Sequence, residues 1–221
     1  MEQKFWLDRW EKGDIGFHRD AVHPALQAHW SELHLAPRAR VLVPLCGATP
    51  DMAWLAAQGH EVIGVELSQL ALERFLSEHR VRHITMEEPG FRTYLGGRYQ
   101  FWCGDFFAVP DDVFASADAV YDRASLVALP PEMRRRYAAR LAERIRPGAK
   151  MLLVTLDYDP AQMNGPPFAV PDDEVTTLFD QHFDIARTNN EDALADNDGL
   201  RKRGLTALTE SVFILARKAV A

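Results

Sequence analysis

The chain has 221 residues, 47% hydrophobic and 26% charged, a balance that suits one globular domain and excludes fibrous and disordered classes. Its net charge of -7 disfavours a nucleic acid as partner, because an acidic surface repels phosphate backbones. Charged residues occupy the start of the chain, where a signal peptide has its apolar region, and no apolar run reaches membrane-spanning length, so we expect a cytoplasmic protein with no membrane partner.

The first elements of the predicted fold lie between residues 40 and 79. A strand at 40–45 is followed by a helix for which Thr49 is the expected N-cap and Pro50 the first helical residue. A second strand follows at 61–66, and Ser68 is placed to cap the next helix. This alternation of short strands and helices is typical of a mainly parallel sheet with helices on both faces.

The middle of the chain continues the alternation less regularly. We expect a third strand at 81–86, a turn-rich excursion at 90–98, and strand character again at 99–103. A further strand at 118–122 precedes a helix that opens at 130–132, where two prolines and a glutamate begin an apolar stripe of helical spacing.

The last third of the chain begins with a buried strand at 149–156. The segment 157–171 is rich in proline and too irregular for a helix or a strand, and long loops in compact domains usually serve function. A helix from Asp172 and closing strands at 183–187 and 205–216 complete the pattern.

The whole pattern predicts a single doubly wound α/β domain over residues 1–221. Residues 1–38 precede the first strand, and we interpret them as an N-terminal cap segment rather than a second domain. The two cysteines, Cys46 and Cys103, are too few for a disulfide framework or a zinc site, and we expect both to be reduced.

Candidate ligand-binding residues follow the first two strands. In open α/β sheets, ligands bind beyond the carboxyl ends of the strands. Gly47 follows the first strand and allows the backbone to approach a ligand closely. Glu66 ends the second strand, where nucleotide-binding folds place the acid that accepts hydrogen bonds from ribose hydroxyls. An ordinary turn glycine and a solvated carboxylate are the alternatives.

The turn at 46–51 indicates which nucleotide is bound. It lacks the further glycines of a dinucleotide site and the Gly-Lys-Ser/Thr of a phosphate loop, and Asp51 would repel a phosphate. An adenosine ligand with a positive sulfonium fits better, because carboxylates and aromatic faces attract that charge. Asp105 would then accept from the adenine amino group and Phe106 would pack on the ring; a loop acid beside a core aromatic is an equal alternative.

Several sequence blocks follow one another in a recognisable order along nearly the whole chain. They are Phe5-Trp6-Leu7-Asp8-Arg9-Trp10, Gly16-Phe17-His18, Pro44-Leu45-Cys46-Gly47, Gly64-Val65-Glu66, Asp122-Arg123, Tyr158-Asp159-Pro160, Gly165-Pro166-Pro167-Phe168 and Val170-Pro171. In this order they resemble the thiopurine S-methyltransferase family. The resemblance implies a seven-stranded, mostly parallel sheet with an antiparallel last strand. It also implies S-adenosylmethionine (SAM) as methyl donor, S-adenosylhomocysteine as product, and a thiopurine or similar small heterocyclic thiol as acceptor.

The same resemblance implies the residues of the site. The family has an arginine near the loop before the last strand, and the candidates here are Arg201, Lys202 and Arg203; we take Arg201, with a solvated loop as the alternative. Arg201 would bind the acceptor together with Trp10 and Phe17. The residues that the resemblance places around SAM are Trp6, Phe17, Leu45, Glu66, Asp105, Phe106 and Arg123.

The chemistry explains why these residue types suit the reaction. Methyl transfer from a sulfonium is an in-line displacement that needs alignment and exclusion of water but no metal. Arg123 is the predicted catalytic residue, because a fixed positive charge favours a thiolate over a thiol. An ion pair with Asp122 or another acid is its structural alternative. Trp6, Trp10 and Phe17 are predicted to fold over the site, with a hydrophobic anchor as the alternative.

Two other functions remain open at this point. A methyltransferase for halide, hydrosulfide or selenium and tellurium species would share the cofactor site, and a SAM-binding module without catalysis would share the fold. Amino-methylation of DNA is disfavoured, because Tyr121-Asp122-Arg123-Ala124 replaces the Asn/Asp-Pro-Pro-aromatic signature of those enzymes. We expect a monomer.

Overall fold

A computed structural model describes residues 3–219, so the first and last two residues of the expected domain 1–221 lie outside the described part. The helices are α1 (Gln3–Lys12), α2 (Pro24–His29), α3 (Asp51–Ala57), α4 (Gln69–Glu78), α5 (Asp111–Ala115), α6 (Pro131–Arg144), α7 (Asp172–Phe179) and α8 (Asp198–Lys202). The strands are β1 (Arg40–Val43), β2 (Glu61–Glu66), β3 (Ile84–Glu88), β4 (Phe91–Gly96), β5 (Tyr99–Cys103), β6 (Ala119–Arg123), β7 (Lys150–Asp157), β8 (Phe183–Asp192) and β9 (Thr209–Arg217).

One sheet contains all of these strands, in the order β3-β4-β5-β2-β1-β6-β7-β9-β8. The five central strands from β5 to β7 are parallel, and both edges are antiparallel. The predicted α/β class is therefore confirmed, and so is the antiparallel last strand, since β9 runs against both β7 and β8. The sheet has nine strands rather than the predicted seven, because β3 and β4 extend one edge as antiparallel additions.

The prediction of a turn-rich excursion at 90–98 was wrong. Most of this segment is β4, which pairs with β5 on one side and β3 on the other. Gly90 and Gly97 stand just outside the strand with positive φ angles of 81° and 58°, so they mark the turns at its two ends rather than its interior. The third strand also lies slightly later than expected, at Ile84–Glu88 instead of 81–86.

The last strands differ from the prediction in their bounds. The segment 158–171 is irregular as expected, although Asp157, its first predicted residue, ends β7, and β8 extends beyond the predicted 183–187. The predicted strand at 205–216 begins later, at Thr209. Its first predicted residues instead join a small apolar cluster beside the irregular segment, made of Tyr158, Met163, Ala193, Leu205 and Leu208.

Helix starts follow the predicted local signals closely. Ser68 caps α4, where its hydroxyl accepts a hydrogen bond from the Ala71 amide at 3.4 Å. The start of α3 is one residue later than predicted, with Pro50 at the N-cap and Asp51 first in the helix. Thr49 still contributes, because its hydroxyl accepts from the Asp51 amide at 3.3 Å. The helices α6 and α7 begin where the sequence predicts.

The two faces of the sheet carry separate apolar cores. On one face α5, α6 and α7 pack around Phe114, Tyr137 and Phe179, and on the other α2, α3 and α4 pack around Met52 and Phe75. Because helices cover both faces, the central strands are buried on both sides and consist of continuous apolar runs. None of the helices between residues 3 and 219 combines the length and hydropathy that a membrane span requires.

A buried carboxylate fixes the turn after β6. Asp122 is fully buried and accepts hydrogen bonds from the Ser125 amide at 3.2 Å, the Leu126 amide at 3.1 Å and the Tyr137 hydroxyl at 2.7 Å. Burial raises the pKa of Asp122, and these donors oppose the rise. The Ser125 hydroxyl in turn donates to the Pro44 carbonyl at 2.6 Å, so the turns after β1 and β6 are joined.

This arrangement makes a prediction for stability. Tyr137→Phe removes one donor from a buried carboxylate, and we expect a loss of about 1 to 3 kcal/mol in the free energy of unfolding. Tyr99→Phe is the matched control, because Tyr99 is a partly buried tyrosine whose hydroxyl has no hydrogen-bond partner among residues 3–219. Urea denaturation of both variants measures the difference. Equal losses would show that the Asp122 contact contributes nothing of its own.

Candidate functional site

A cavity of about 1170 Å³ opens at the carboxyl ends of β1, β2, β6 and β7. This is the edge at which open α/β sheets bind ligands, and the volume has room for a nucleoside and a second small ring. The predicted site residues that line it are Trp6, Trp10, Phe17, Leu45, Glu66, Asp105, Phe106 and Arg123. Arg201 is the one predicted residue that does not.

Glu66 connects the turns after the first two strands. One carboxylate oxygen accepts from the Gly47 amide at 2.8 Å and the other from the Ser68 amide at 2.8 Å. The side chain is buried, so it is not the solvated carboxylate of the alternative interpretation. Burial raises the pKa of Glu66, while the hydrogen bonds from Ser68 and Gly47 act in the opposite direction. Each oxygen keeps a lone pair that can accept a ligand hydroxyl.

The turn after β1 contains positive φ angles, which residues other than glycine rarely adopt. Leu45 and Gly47 have positive φ angles of 44° and 54°. A Cβ at position 47 would lie 3.3 Å from Cζ2 of Trp10, which is tighter than normal packing. Gly47 therefore allows both the turn and the close approach of α1, and it is more than an ordinary turn glycine.

Asp105 and Phe106 lie together after β5, as predicted. One oxygen of Asp105 accepts from the Phe107 amide at 2.9 Å, and the other accepts from the side-chain amide of Gln3 at 3.0 Å. The second oxygen thus faces an NH₂ donor of the same kind as the adenine amino group. Phe106 is buried against Phe114 and Tyr137 and lines the cavity.

The aromatic residues of the N-terminal segment form one wall of the cavity. Phe17 makes edge-to-face contacts with Trp6 and Trp10, with ring centroids 5.5 and 5.8 Å apart. The helix α1 has no fully buried residue, but Trp10 packs against the core beneath α2, α3 and α4, so it serves in part as the hydrophobic anchor of the alternative interpretation. The aromatic side chains also cover the cavity from outside the sheet.

Arg123 ends β6 with an unpaired guanidinium. Among residues 3–219, no carboxylate lies within 4 Å of it, and Asp122 instead binds Tyr137 inside the core. The ion pair with Asp122 that was its structural alternative does not form. Arg123 also contributes to the lowered pKa of His18, a cavity residue whose pKa is reduced first by burial and then by the charge of Arg74.

The arginine at the cavity near the last strand is Arg203 rather than Arg201. The Arg201 guanidinium turns back along α8 and binds Asp198 at 2.7 Å, which keeps it off the cavity wall. Arg203 follows the end of the helix, lines the cavity, and donates to the Pro166 carbonyl at 2.7 Å. It thereby also holds the proline-rich segment against the cavity.

A connected set of polar residues on the cavity wall was not predicted from the sequence. Tyr121 donates to Asp51 at 2.9 Å, the His23 amide donates to the other Asp51 oxygen at 2.8 Å, and His23 Nε2 lies 3.5 Å from Glu210. Tyr121, His23 and Glu210 all line the cavity. The available signal was a glutamate just before the apolar run 212–216 of the last strand.

The comparisons with known proteins agree with this geometry. A family model described as thiopurine S-methyltransferase matches residues 1–218. A protein of Pseudomonas fluorescens named thiopurine S-methyltransferase is 48% identical over 99% of this chain and 100% of its own length. A protein of the same name from Azotobacter vinelandii is 45% identical, again over 99% of this chain and 100% of its own length.

A solved structure shares the fold at much lower identity. The 1,6-didemethyltoxoflavin-N1-methyltransferase of Burkholderia thailandensis, with bound 1,6-didemethyltoxoflavin and S-adenosylhomocysteine, aligns with a TM-score of 0.66 and 19% identity. The alignment covers 98% of this chain and 87% of that one. At this identity the likeness establishes the fold.

The geometry of Glu66 predicts a pH dependence of SAM binding. In the predicted site ribose hydroxyls would donate to the ionised carboxylate, and burial raises the pKa of free Glu66, so SAM affinity should fall as the pH drops from neutral into the acidic range. Glu66→Gln should bind about 1.5 to 3 kcal/mol more weakly at neutral pH and lose this dependence. Isothermal titration calorimetry measures both effects.

The matched control is Glu61→Gln. Glu61 lies at the other end of the same strand, away from the cavity, and pairs with the exposed Arg38 at 3.2 Å. Its replacement should leave SAM affinity unchanged at every pH. If Glu66→Gln retained the wild-type affinity, Glu66 would have no role in holding the ribose.

Proposed function

This chain belongs to the thiopurine S-methyltransferase family, and from that premise we propose that it methylates the sulfur of thiopurines or similar small heteroaromatic thiols. SAM is the methyl donor and S-adenosylhomocysteine the product. The observation that carries the proposal is the unpaired Arg123 in a cavity that also contains the buried Glu66. The two residues end β6 and β2, which flank β1, so their strands are about 10 Å apart by ordinary strand spacing.

The residues of one half of the cavity suit the donor. Glu66 has lone pairs for the ribose hydroxyls, Asp105 has an oxygen for the adenine amino group, and Phe106 adds an aromatic contact. Leu45 adds an apolar contact. The faces of Trp6 and Phe17, together with the nearby carboxylates, attract a positive sulfonium. When bound there, SAM supplies a methyl carbon that is activated by the sulfonium charge.

The other half of the cavity suits a flat acceptor that carries sulfur. Arg123 is proposed as the catalytic residue, because its charge stabilises an anionic sulfur. Trp10 and Phe17 offer ring faces to a heterocycle. Arg203 takes the substrate-binding role that the sequence analysis gave to Arg201, since only Arg203 lines the cavity.

The N-terminal segment excludes water from the reaction in this proposal. Residues 1–38 serve as a cap on a single catalytic domain over residues 1–221. Support comes from α1, whose aromatic side chains line the cavity although none of its residues is fully buried in the core. A dry cavity strengthens the effect of Arg123 on the sulfur.

The shape of the cavity disfavours the alternative acceptors. Halide, hydrosulfide and the small selenium and tellurium species need little volume and no aromatic wall, whereas this cavity is large and lined by rings. A SAM-binding module without catalysis has no use for an unpaired arginine at the acceptor end. The cytoplasmic location, the monomeric state and the lack of a nucleic-acid partner stay predictions.

Arg123 gives the test of this proposal. Arg123→Ala should lower kcat/KM on the order of a hundredfold at neutral pH, and Arg123→Lys should keep part of the activity because it retains the charge. If Arg123 favours the thiolate, the alanine variant should recover relative rate at high pH and with more acidic thiols. The measurement is a pair of pH–rate profiles for two thiols of different acidity.

Arg135→Ala is the control for removal of an arginine. Arg135 is exposed on α6 and pairs with Glu132, so its loss should change neither profile. SAM affinity and thermal stability are measured alongside. A rate loss for Arg123→Ala that is uniform over pH and accompanied by lower stability would indicate a structural role and overturn the catalytic assignment.

A further inference from the structure

Glu210 is a buried acid on the cavity wall that the proposed function leaves unused. Its side chain is 11% exposed, and its neighbours along β9 are mostly apolar and buried. Among residues 3–219, the one basic side chain within 4 Å is His23, whose Nε2 lies 3.5 Å from Oε2 of Glu210. The other carboxylate oxygen has no hydrogen-bond donor in this part of the chain, so it is available to a ligand.

The contacts of His23 determine which ring nitrogen carries the proton. Its Nδ1 accepts a hydrogen bond from the Ala25 amide at 3.3 Å at the start of α2. A neutral imidazole that accepts at Nδ1 carries its proton on Nε2, and this nitrogen faces Glu210. The His23 amide is held by Asp51, which also binds Tyr121. The imidazole is therefore held with Nε2 toward the Glu210 carboxylate, 3.5 Å from Oε2.

The position of Glu210 works against the stability of the fold. Glu191 lies directly opposite it on β8, and like charges at facing positions of an antiparallel pair are destabilising. Burial of a carboxylate with only a neutral partner adds a second cost. Removal of the charge should therefore preserve or raise stability, so packing alone does not explain an acid at this position.

The strand register places Glu210 and Arg123 on opposite sides of the acceptor half. Arg123, Val154 and Val212 lie at one level across β6, β7 and β9. Glu210 lies two residues along β9 from Val212, on the same face and nearer the carboxyl edge of β7. Standard spacings put its Cα about 10 Å across and about 7 Å along the sheet from that of Arg123. Two side chains at this separation can contact opposite ends of one heterocycle.

We propose that Glu210 accepts the proton of a ring N–H beside the acceptor sulfur, so that the substrate class is heteroaromatic thiones with an adjacent N–H. This inference rests on the proposed function. The acceptor sulfur forms a bond to the methyl carbon with its own electron pair. The bond between that carbon and the sulfonium sulfur breaks, and its electron pair stays on S-adenosylhomocysteine. The N–H proton passes to the Glu210 carboxylate and leaves to solvent after the products dissociate.

The acidity of the N–H explains why a carboxylate is strong enough for this step. In the neutral thione the N–H is a weak acid, but the ring becomes cationic as its sulfur is methylated, and the same N–H then becomes strongly acidic. A hydrogen bond to Glu210 increases the electron density on the sulfur, and Arg123 stabilises that charge. A simple anion such as hydrosulfide has no ring N–H beside its sulfur and is repelled by Glu210.

The test compares Glu210→Gln on two acceptors. Pyridine-2-thione carries an N–H beside its sulfur, whereas thiophenol has an aromatic sulfur and no ring nitrogen. We expect kcat/KM for pyridine-2-thione to fall about a hundredfold and that for thiophenol to change less than about threefold. SAM affinity and the melting temperature should not fall. Glu210→Asp keeps the charge and should retain more of the pyridine-2-thione activity than Glu210→Gln.

Glu191→Gln is the matched control, because it removes the same charge at the facing position of β8 on an exposed side chain outside the cavity. It should leave both rates unchanged. Equal losses of Glu210→Gln on both acceptors, or a fall in its melting temperature that accounts for the loss, would overturn the role of Glu210. A wild-type protein that methylates neither acceptor would overturn the proposed function itself, so the two failures are distinguishable.

Discussion

The carboxylate of Glu66 is the constraint on which the ligand-binding edge depends. It binds the amides of Gly47 and Ser68 at once, so the turns that leave β1 and β2 have one relative position. The positive φ angle of Gly47 and its contact with Trp10 then determine how closely α1 can approach. Glu66 thus fixes the turns that border the cavity and can also contact a ligand, because two backbone donors leave lone pairs unused.

Asp122 fixes the turn after β6 as Glu66 fixes the turns after β1 and β2. Unlike Glu66, it lies in the core and does not line the cavity, whereas its sequence neighbour Arg123 does. Adjacent residues of a strand point to opposite faces of the sheet, so Asp122 accepts from Tyr137 and two backbone amides inside the core, while Arg123 stays unpaired beside the cavity. The sheet therefore separates the two members of an acid–base pair that are adjacent in sequence. The Asp122 side chain lies in the core, and the Arg123 side chain lines the cavity, where its charge can interact with a substrate.

The sequence predicted the structural features that depend on interactions between residues close together in the chain. The positions of β1, β2 and the cap of α4 depend on nearby residues, and so does the placement of Glu66 at a strand end. The strand β4 was missed because its two flanking glycines look like a loop until β3 and β5 provide hydrogen bonds. Arg203 could not be distinguished from Arg201, since the turn that follows α8 sets which one faces the cavity. Glu210 and His23 come from opposite ends of the chain, and only the folded sheet joins them.

The helix α1 forms a wall of the cavity although it fully buries none of its own residues in the core. Trp6 and Trp10 both contact Phe17, Trp10 also packs against the core, and the parts of these rings that line the cavity are left to whatever occupies it. Ligand binding in the cavity and the stability of α1 are consequently linked thermodynamically. A ligand that packs on these rings stabilises the helix by the same free energy by which the helix strengthens ligand binding. We therefore expect the lifetime of the bound products to depend on how often this one helix detaches, a local opening that needs no disruption of the sheet.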